Sequence, residues 1–256
     1  MIAASTKDIS NKLADRVKQA CDNGTVLNIR GSATKSFLAN SDHDKNTAEL
    51  ITTTEHQGIV NYEPRELVVT ARSGTRLADI EKVLAGENQM LAFEPPAFGE
   101  QATLGGTIAC ALSGPRRPYT GSARDYVLGV QMINGRGEAM VFGGQVMKNV
   151  AGYDVSRLMT GTMGTLGILL DISLKVLPAP ETEMTLTQEL SPADARKIMI
   201  ELSRQYLPIS AMSYTGRFLN IRLSGTQSAV TASAEKIGGD TIQEHETFWH
   251  DIREQQ

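Results

Sequence analysis

Apolar residues along the chain fall into short periodic runs. Ile9, Leu13, Val17 and Cys21 share one helical face, and Asn23-Gly24 closes that helix. Val26 to Arg30 then reads as a short strand. Gly58 to Tyr62 and Leu67 to Arg72 read as two more, with Glu63-Pro64-Arg65 turning between them. Thr75 is placed to cap a helix whose apolar face is Leu77, Ile80, Val83 and Leu84 and which ends near Gly86. Met90 to Phe93 is a short buried strand halted by Pro95-Pro96. Val127 to Ile133 and Glu138 to Phe142 flank Asn134-Gly135-Arg136-Gly137, a strong hairpin signal. Ile168 to Leu177 is a long β-rich run ended by Pro178 and Pro180.

The pattern changes after those prolines. Glu183 to Leu190 is a strand, and Ser191-Pro192-Ala193-Asp194 is a capped helix start with proline at the first helical position. Two strands, Ala211 to Thr215 and Phe218 to Leu223, follow that helix. Ser228 to Ile237 is helical and Thr241 to Glu244 is a strand. The order βαββαβ is that of a ferredoxin-like unit. We therefore place a domain boundary here, giving residues 1–178 and 179–256. Thr247 to Arg253 starts an amphipathic helix carrying Phe248, Trp249 and Ile252. No cap follows it, so the expectation is an exposed apolar turn and further chain beyond it.

Three stretches of small residues interrupt the first region. Thr103 to Asp125 is the densest, with Gly105-Gly106 opening a helical turn that Ser113-Gly114-Pro115 stops. A helix start bared by two glycines points free N–H groups at whatever lies against it, which suits a phosphate. The alternative is a tight packing corner between two elements. Gly31-Ser-Ala-Thr-Lys-Ser36 follows the strand at Arg30 and has the composition of an anion-binding nest, with Lys35 adding charge. A plain strand-to-loop turn is its alternative. The loop is not a Walker motif, because Thr34 stands where glycine must precede the lysine, and the Rossmann G-x-G-x-x-G is absent. Gly161 to Ile168 is the third stretch.

Composition narrows the function. A formal net charge of -4 without a long basic run argues against nucleic acid as partner. No apolar stretch is long enough to span a bilayer, and Met1 to Ser10 has no secretory h-region, so a cytoplasmic location is expected. Cys21 and Cys110 form no framework, and His43, His56, His245 and His250 have no metal-ligand spacing, so no metal site is expected from this chain.

The three stations joined by strands resemble the FAD-binding domain of the vanillyl-alcohol-oxidase/p-cresol-methylhydroxylase (PCMH) superfamily. More closely, four strings resemble the FAD-binding E-subunit family of bacterial glycolate oxidases. They are Tyr62-Glu-Pro-Arg-Glu-Leu-Val-Val-Thr-Ala-Arg, Phe93-Glu-Pro-Pro, Leu112-Ser-Gly-Pro-Arg-Arg-Pro, and Val146-Met-Lys-Asn-Val-Ala-Gly-Tyr-Asp-Val-Ser-Arg-Leu-Met. The resemblance implies an α+β fold: a two-subdomain PCMH-type FAD-binding domain followed by a partial ferredoxin-like cap domain. It implies FAD, held non-covalently because the first loop lacks the histidine of covalently flavinylated relatives. The implied cofactor-binding residues are Arg30, Gly31, Ser32, Ala33, Thr34, Lys35 and Ser36 in the first loop. From the middle stretch they are Pro96, Thr103, Gly105, Gly106, Thr107, Ala109, Ser113, Gly114, Gly121 and Ser122, and from the third Gly164, Gly167 and Ile168.

The family continues for roughly another hundred residues, the size of a further domain. Its complexes add a second flavin subunit and an iron–sulfur subunit, and oxidise a small 2-hydroxy acid such as glycolate or D-lactate. The paired cap histidines of single-chain relatives have no counterpart here. Such chemistry needs a cation clamp for the carboxylate and a base for the hydroxyl proton. Arg116, Arg117 and Arg124 are clamp candidates, the alternative for Arg116-Arg117 being an exposed partner-docking pair. Lys148, Tyr153 and Asp154 form a second polar set, or else a buried network fixing a loop. No residue stands out as the base. A relay or scaffold role without chemistry of its own is the competing reading.

Overall fold

A computed structural model describes residues 6–38, 48–144 and 152–256. In chain order the elements begin α1 (Ser10–Asn23), β1 (Leu27–Arg30), β2 (Glu49–Thr52), β3 (Ile59–Glu63), β4 (Val68–Arg72), α2 (Leu77–Ala85), β5 (Gln89–Met90) and α3 (Leu104–Cys110). They continue through α4 (Arg117–Thr120), α5 (Ala123–Tyr126), β6 (Val127–Ile133), β7 (Ala139–Gly143), α6 (Val155–Leu158), β8 (Ile168–Lys175) and β9 (Leu177–Pro178). The last are β10 (Thr182–Glu189), α7 (Pro192–Ser203), β11 (Ile209–Tyr214), β12 (Phe218–Gly225), α8 (Gln227–Ile237), β13 (Asp240–Thr241) and α9 (His245–Glu254). By proximity the chain divides into two compact units. The first takes Met1–Leu91, Pro95–Leu112 and Ser122–Pro178; the second takes Ala92–Glu94, Ser113–Gly121 and Ala179–Gln256.

The first unit is built on a five-stranded antiparallel sheet of order β3-β4-β8-β6-β7 and a parallel pair, β1-β2. Strand β8 is central and buried on both faces, which explains its near-continuous apolar run from Ile168 to Leu174. Helix α1 buries Leu13 and Val17 in a cluster with Ile51, Ile133, Ile168 and Leu170. Each such side chain contributes about 1.5–3 kcal/mol. Gly24, at φ 66, ends α1 and donates its N–H to the carbonyls of Ala20 and Cys21. In the β6–β7 hairpin the Asn134 side chain accepts from the N–H groups of Arg136 and Glu138.

Two local expectations change. Thr75 does not cap α2; its hydroxyl is drawn sideways into a two-way hydrogen bond with the Gly58 backbone. The strand expected over Met90 to Phe93 is only Gln89–Met90, paired with Leu177-Pro178.

The second unit is a four-stranded antiparallel sheet of order β11-β12-β10-β13, the ferredoxin-like order. One sheet face is apolar: Leu186, Leu219, Ile221 and Leu223 pack with Ala195 and Leu202 of α7 and Val230 of α8. On the opposite face Thr185, Asn220 and Arg222 are buried polar residues. Ser191 caps α7 by accepting from the Asp194 N–H, with Pro192 at the first position. The expected exposed, uncapped terminal turn is corrected. Gln255 adopts φ 59 and closes α9 through its N–H. Trp249 is only 4% exposed and donates Nε1–H to Thr185 Oγ1 at 2.8 Å. The sequence showed an apolar turn but not the polar sheet face that receives it.

Candidate functional site

The first unit encloses a cavity of about 670 Å³, within the range of small-molecule sites. One wall is the loop after β1, Arg30 to Ser36. Ala33 sits at φ 62, and the N–H groups of Gly31, Ser32, Ala33 and Thr34 take no acceptor among the described residues. Ser36 N–H closes the turn onto the Ala33 carbonyl at 3.1 Å. A left-handed residue among successive free amides is the geometry of an anion nest. A Cβ on Gly31 would overlap Thr103 Oγ1, so a side chain there requires that hydroxyl to move. Lys35 is 7% exposed; its Nζ donates to the Ala97 carbonyl at 3.2 Å and lies 5.8 Å from the centre of the Phe98 ring.

The floor is α3. Here the expected free helix start is corrected. The N–H groups of Leu104, Gly105 and Thr107 donate to the carbonyls of Thr75, Ser73 and Thr103, and that of Gly106 to Thr103 Oγ1. The two glycines have different jobs. A Cβ on Gly105 would lie 2.7 Å from the Ser73 Cβ, so Gly105 is a packing corner. A Cβ on Gly106 would meet only Thr103 Oγ1, at 3.2 Å. Gly106, Ala109 and Cys110, spaced to share a helix face, present a floor almost without side chains to the cavity.

The third wall is Thr162 to Gly167. Gly161 and Met163 donate their N–H groups to the Ile108 and Ala109 carbonyls, each at 3.0 Å, which ties this turn to α3. Met163, at φ 54, is a second non-glycine residue in the left-handed region beside the cavity, as Ala33 is. Such strain persists only where the surroundings over-determine it. Burial pushes the Cys110 thiol up, and the Lys35 charge opposes this only in part.

Thus the structure brings Arg30 to Ser36, Thr103, Gly105, Gly106, Ala109, Gly164 and Gly167 around one space. It places others elsewhere. Pro96 and Thr107 are buried away from the lining, Ile168 is in the α1 core, and Ser122 forms a capping box with Asp125. Ser113, Gly114 and Gly121 belong to the second unit. Sequence reasoning missed Asn28, Ile29, Leu38, Thr53 and Leu169 on the lining, and above all Ser73. Ser73 is 1% exposed and its hydroxyl has no partner among the described residues. Its signal was present: Arg72-Ser-Gly-Thr75 is another strand running into small residues ahead of a helix.

The second unit holds a charged cluster. Arg116, 5% exposed, binds Glu94 through Nε at 2.9 Å, and Glu183 and Ser224 through its terminal nitrogens. Arg222 reaches Glu94 at 2.8 Å and Ser210 at 3.0 Å, with its guanidinium 4.8 Å from the centre of the Trp249 ring. Burial pushes the Glu183 carboxyl up, but Arg116, Ser224 and Arg222 together hold it below its usual range. Arg116 is therefore neither a free carboxylate clamp nor an exposed docking residue; Arg117 and Arg124 are exposed. Lys148 lies outside the described residues. Tyr153 is 96% exposed and Asp154 caps α6 by accepting from the Arg157 N–H, so these two form no buried network. Among the described residues no cluster could hold a metal ion, and no helix is long and apolar enough to cross a membrane.

The family profile "FAD binding domain" matches residues 8–143. The chain is 48% identical over 249 residues to glycolate oxidase subunit GlcE of Escherichia coli (strain K12), covering 97% of this chain and 69% of that protein. It is 36% identical over 129 residues to glycolate oxidase subunit GlcD of Bacillus subtilis (strain 168), which is 50% of this chain and 27% of that one. It is 35% identical over 137 residues to a D-lactate dehydrogenase of Anaerostipes hadrus, covering 54% of this chain and 28% of the enzyme. The solved structure of an alkyldihydroxyacetonephosphate synthase superposes with a TM-score of 0.74 at 14% identity, over 95% of this chain and 54% of the synthase; this shows a shared fold. Matched along nearly its whole length by a relative almost half identical to it, the chain belongs to the FAD binding domain family and, within it, to the E subunits of glycolate oxidase.

Proposed function

We propose that this chain is the FAD-binding subunit of a complex that oxidises a small 2-hydroxy acid, glycolate to glyoxylate, and passes the electrons to partner subunits. The observation that carries this reading is the glycine-lined cavity with its row of amides that take no acceptor among the described residues. Its residues fit an extended flavin dinucleotide. The amides of Gly31 to Thr34 suit the diphosphate, the Gly106-Ala109 floor leaves room for a flat ring, and the Ser73 hydroxyl, without a partner among the described residues, can donate to the cofactor. Gly164 and Gly167 complete that cradle in this reading. FAD bound there supplies a hydride acceptor. The first loop carries no histidine to attach the flavin, so the attachment is non-covalent in this reading.

The relay reading is favoured by one specific observation. Among the described lining residues the titratable groups are Arg30, Lys35 and Cys110, with no carboxylate, histidine or tyrosine. A base for the hydroxyl proton is worth about a hundredfold to ten-thousandfold. We therefore assign that step to residues completed by partners, a second flavin subunit and an iron–sulfur subunit. We place the assembly in the cytoplasm, any membrane contact being made through the partners.

The test uses the purified chain. Acid precipitation is expected to release one FAD per chain into the supernatant, and flavin left in the pellet counts against non-covalent binding. Anaerobic addition of glycolate is expected to bleach the flavin negligibly. Fast stoichiometric bleaching removes the relay reading and leaves a complete active site in this chain.

A further inference from the structure

Among the described residues, Arg30 and Lys35 are the cations that line the cavity, and the proposed function gives neither charge a task. Their settings differ. Arg30 is exposed and its Nε donates to Asn28 Oδ1 at 3.3 Å, so water and salt screen its charge. Lys35 is only 7% exposed. A charge that water barely reaches acts at an effective dielectric constant about fourfold below that of water. Of the two, Lys35 therefore sets the field inside the cavity.

Composition alone makes Lys35 an added charge for the nest beside it. The side chain carries its ammonium across to residues 97–98. Nζ donates to the Ala97 carbonyl at 3.2 Å and lies 5.8 Å from the centre of the Phe98 ring, two electron-rich partners that suit a cation. This segment is fixed from both sides. The Phe98 ring meets the Phe37 ring edge-on at 5.0 Å, which ties it to the turn that carries Lys35. The Gly99 carbonyl accepts the Ala102 N–H, and the Ala102 carbonyl accepts the Leu77 N–H at the start of α2. Phe98 itself sits at φ 52, a left-handed value that a bulky residue keeps only where its surroundings over-determine it. The Lys35 charge also reaches the floor, where it works against the burial that pushes the Cys110 thiol up. Lys35 is thus a held, buried cation near the Gly106-Ala109-Cys110 floor, where a flat ring has room.

Resting on the FAD reading of that cavity, we propose that Lys35 acts on the flavin ring, as the positive charge that makes the bound flavin a stronger electron acceptor. Oxidation of a 2-hydroxy acid moves a hydride, two electrons with one proton, from carbon to the ring, while the hydroxyl proton leaves to a base. The neutral ring gains one negative charge in that exchange. A held cation stabilises the charged, reduced ring and leaves the neutral, oxidised ring nearly unaffected. Only such a difference between two states shifts the equilibrium between them. A lysine that served the diphosphate would face a group whose charge is the same in both states. It would strengthen FAD binding and leave the reduction potential where it was.

The test is the two-electron reduction potential of the bound flavin, measured by anaerobic reduction against a reference dye, with the FAD dissociation constant read alongside. The natural chain is compared with Lys35→Gln, which keeps a donor for the Ala97 carbonyl without the charge, and with Lys35→Arg, which keeps the charge. Lys35→Gln is expected to favour the oxidised over the reduced flavin roughly a hundredfold more than the natural chain does, a potential lower by about 60 mV. Lys35→Arg is expected to restore most of that difference. A Lys35→Gln potential within about 15 mV of the natural one overturns the inference, and weaker FAD binding beside it assigns Lys35 to the diphosphate. Equal shifts in both variants overturn it too, because they report packing and not charge. Should Lys35→Gln hold no FAD, the natural chain decides: a potential above that of free FAD in the same buffer supports the role, and one at or below it refutes the role. Absence of FAD binding by the natural chain overturns the cofactor reading instead.

Discussion

The two units treat buried polarity in opposite ways. The second closes four charged side chains on one another, with Glu94 shared by Arg116 and Arg222, and Glu183 bound by Arg116 and Ser224. The first leaves four loop amides and the Ser73 hydroxyl without partners among the described residues, around an open space. Buried polar groups are costly unless paired. A closed cluster is therefore part of the protein's own stability, and an open one is a surface prepared for something else. The two regions should respond differently to the same kind of mutation.

The largest expected effect is in the closed cluster. Arg116→Met leaves the partly buried Glu94 and Glu183 with less positive charge and is expected to destabilise the chain by about 3 kcal/mol, read by denaturant unfolding. A loss under about 1 kcal/mol would mean that the carboxylates are hydrated and the contrast is weaker than drawn. Next come the paired glycines. Gly105→Ala forces a methyl against Ser73 and should cost about 1–3 kcal/mol of stability. Gly106→Val is expected to change stability by less than about 1 kcal/mol, since its backbone is helical, while removing most bound flavin. Loss of fold in both would show that α3 is packing throughout.

Ser73→Ala removes a hydroxyl that has no partner among the described residues. It should leave the apoprotein as stable as before or slightly more so, and weaken FAD binding by up to about tenfold. A less stable apoprotein with unchanged affinity would assign the hydroxyl to the protein's own fold. The smallest effect concerns Asp8, whose carboxyl is lowered to about 2 by the Ser10 hydroxyl and N–H. A depressed carboxyl adds stability above its unfolded value, near pH 4, and that stability is lost as pH falls from about 4 through 2. Its side chain is 51% exposed, so solvent screening reduces the contribution to under about 1 kcal/mol. Comparing the acid unfolding of Asp8→Asn with that of the natural chain measures it; identical curves would remove Asp8 from the account.

Much of the architecture was legible because it rests on local signals. Periodicity located α1, β3, β4, the β6–β7 hairpin and the whole βαββαβ order, and Gly24, Pro192 and Asn134 mark ends and turns by their own conformational preferences. The glycine-rich stations were legible as unusual composition. Their convergence was not, since Arg30, Gly106 and Gly164 meet only once the sheet has formed.

The sequence alone determined most of the longer helices and strands, but not β2 or the short helices α4, α5 and α6; it also showed where small residues leave the backbone bare, and the family the chain resembles. Each of these follows from side chains acting over a few neighbours. Only the tertiary structure decided that the α3 amides are spent on Thr75, Ser73 and Thr103, while those of Gly31 to Thr34 take no protein acceptor among the described residues. It alone placed Arg116 in a buried ion cluster and Trp249 against a polar sheet face, and it revealed that the Ser73 hydroxyl has no partner among the described residues. A hydrogen bond or ion pair is satisfied by whichever partner the fold brings within about 3 Å, and such partners stand far apart along the chain.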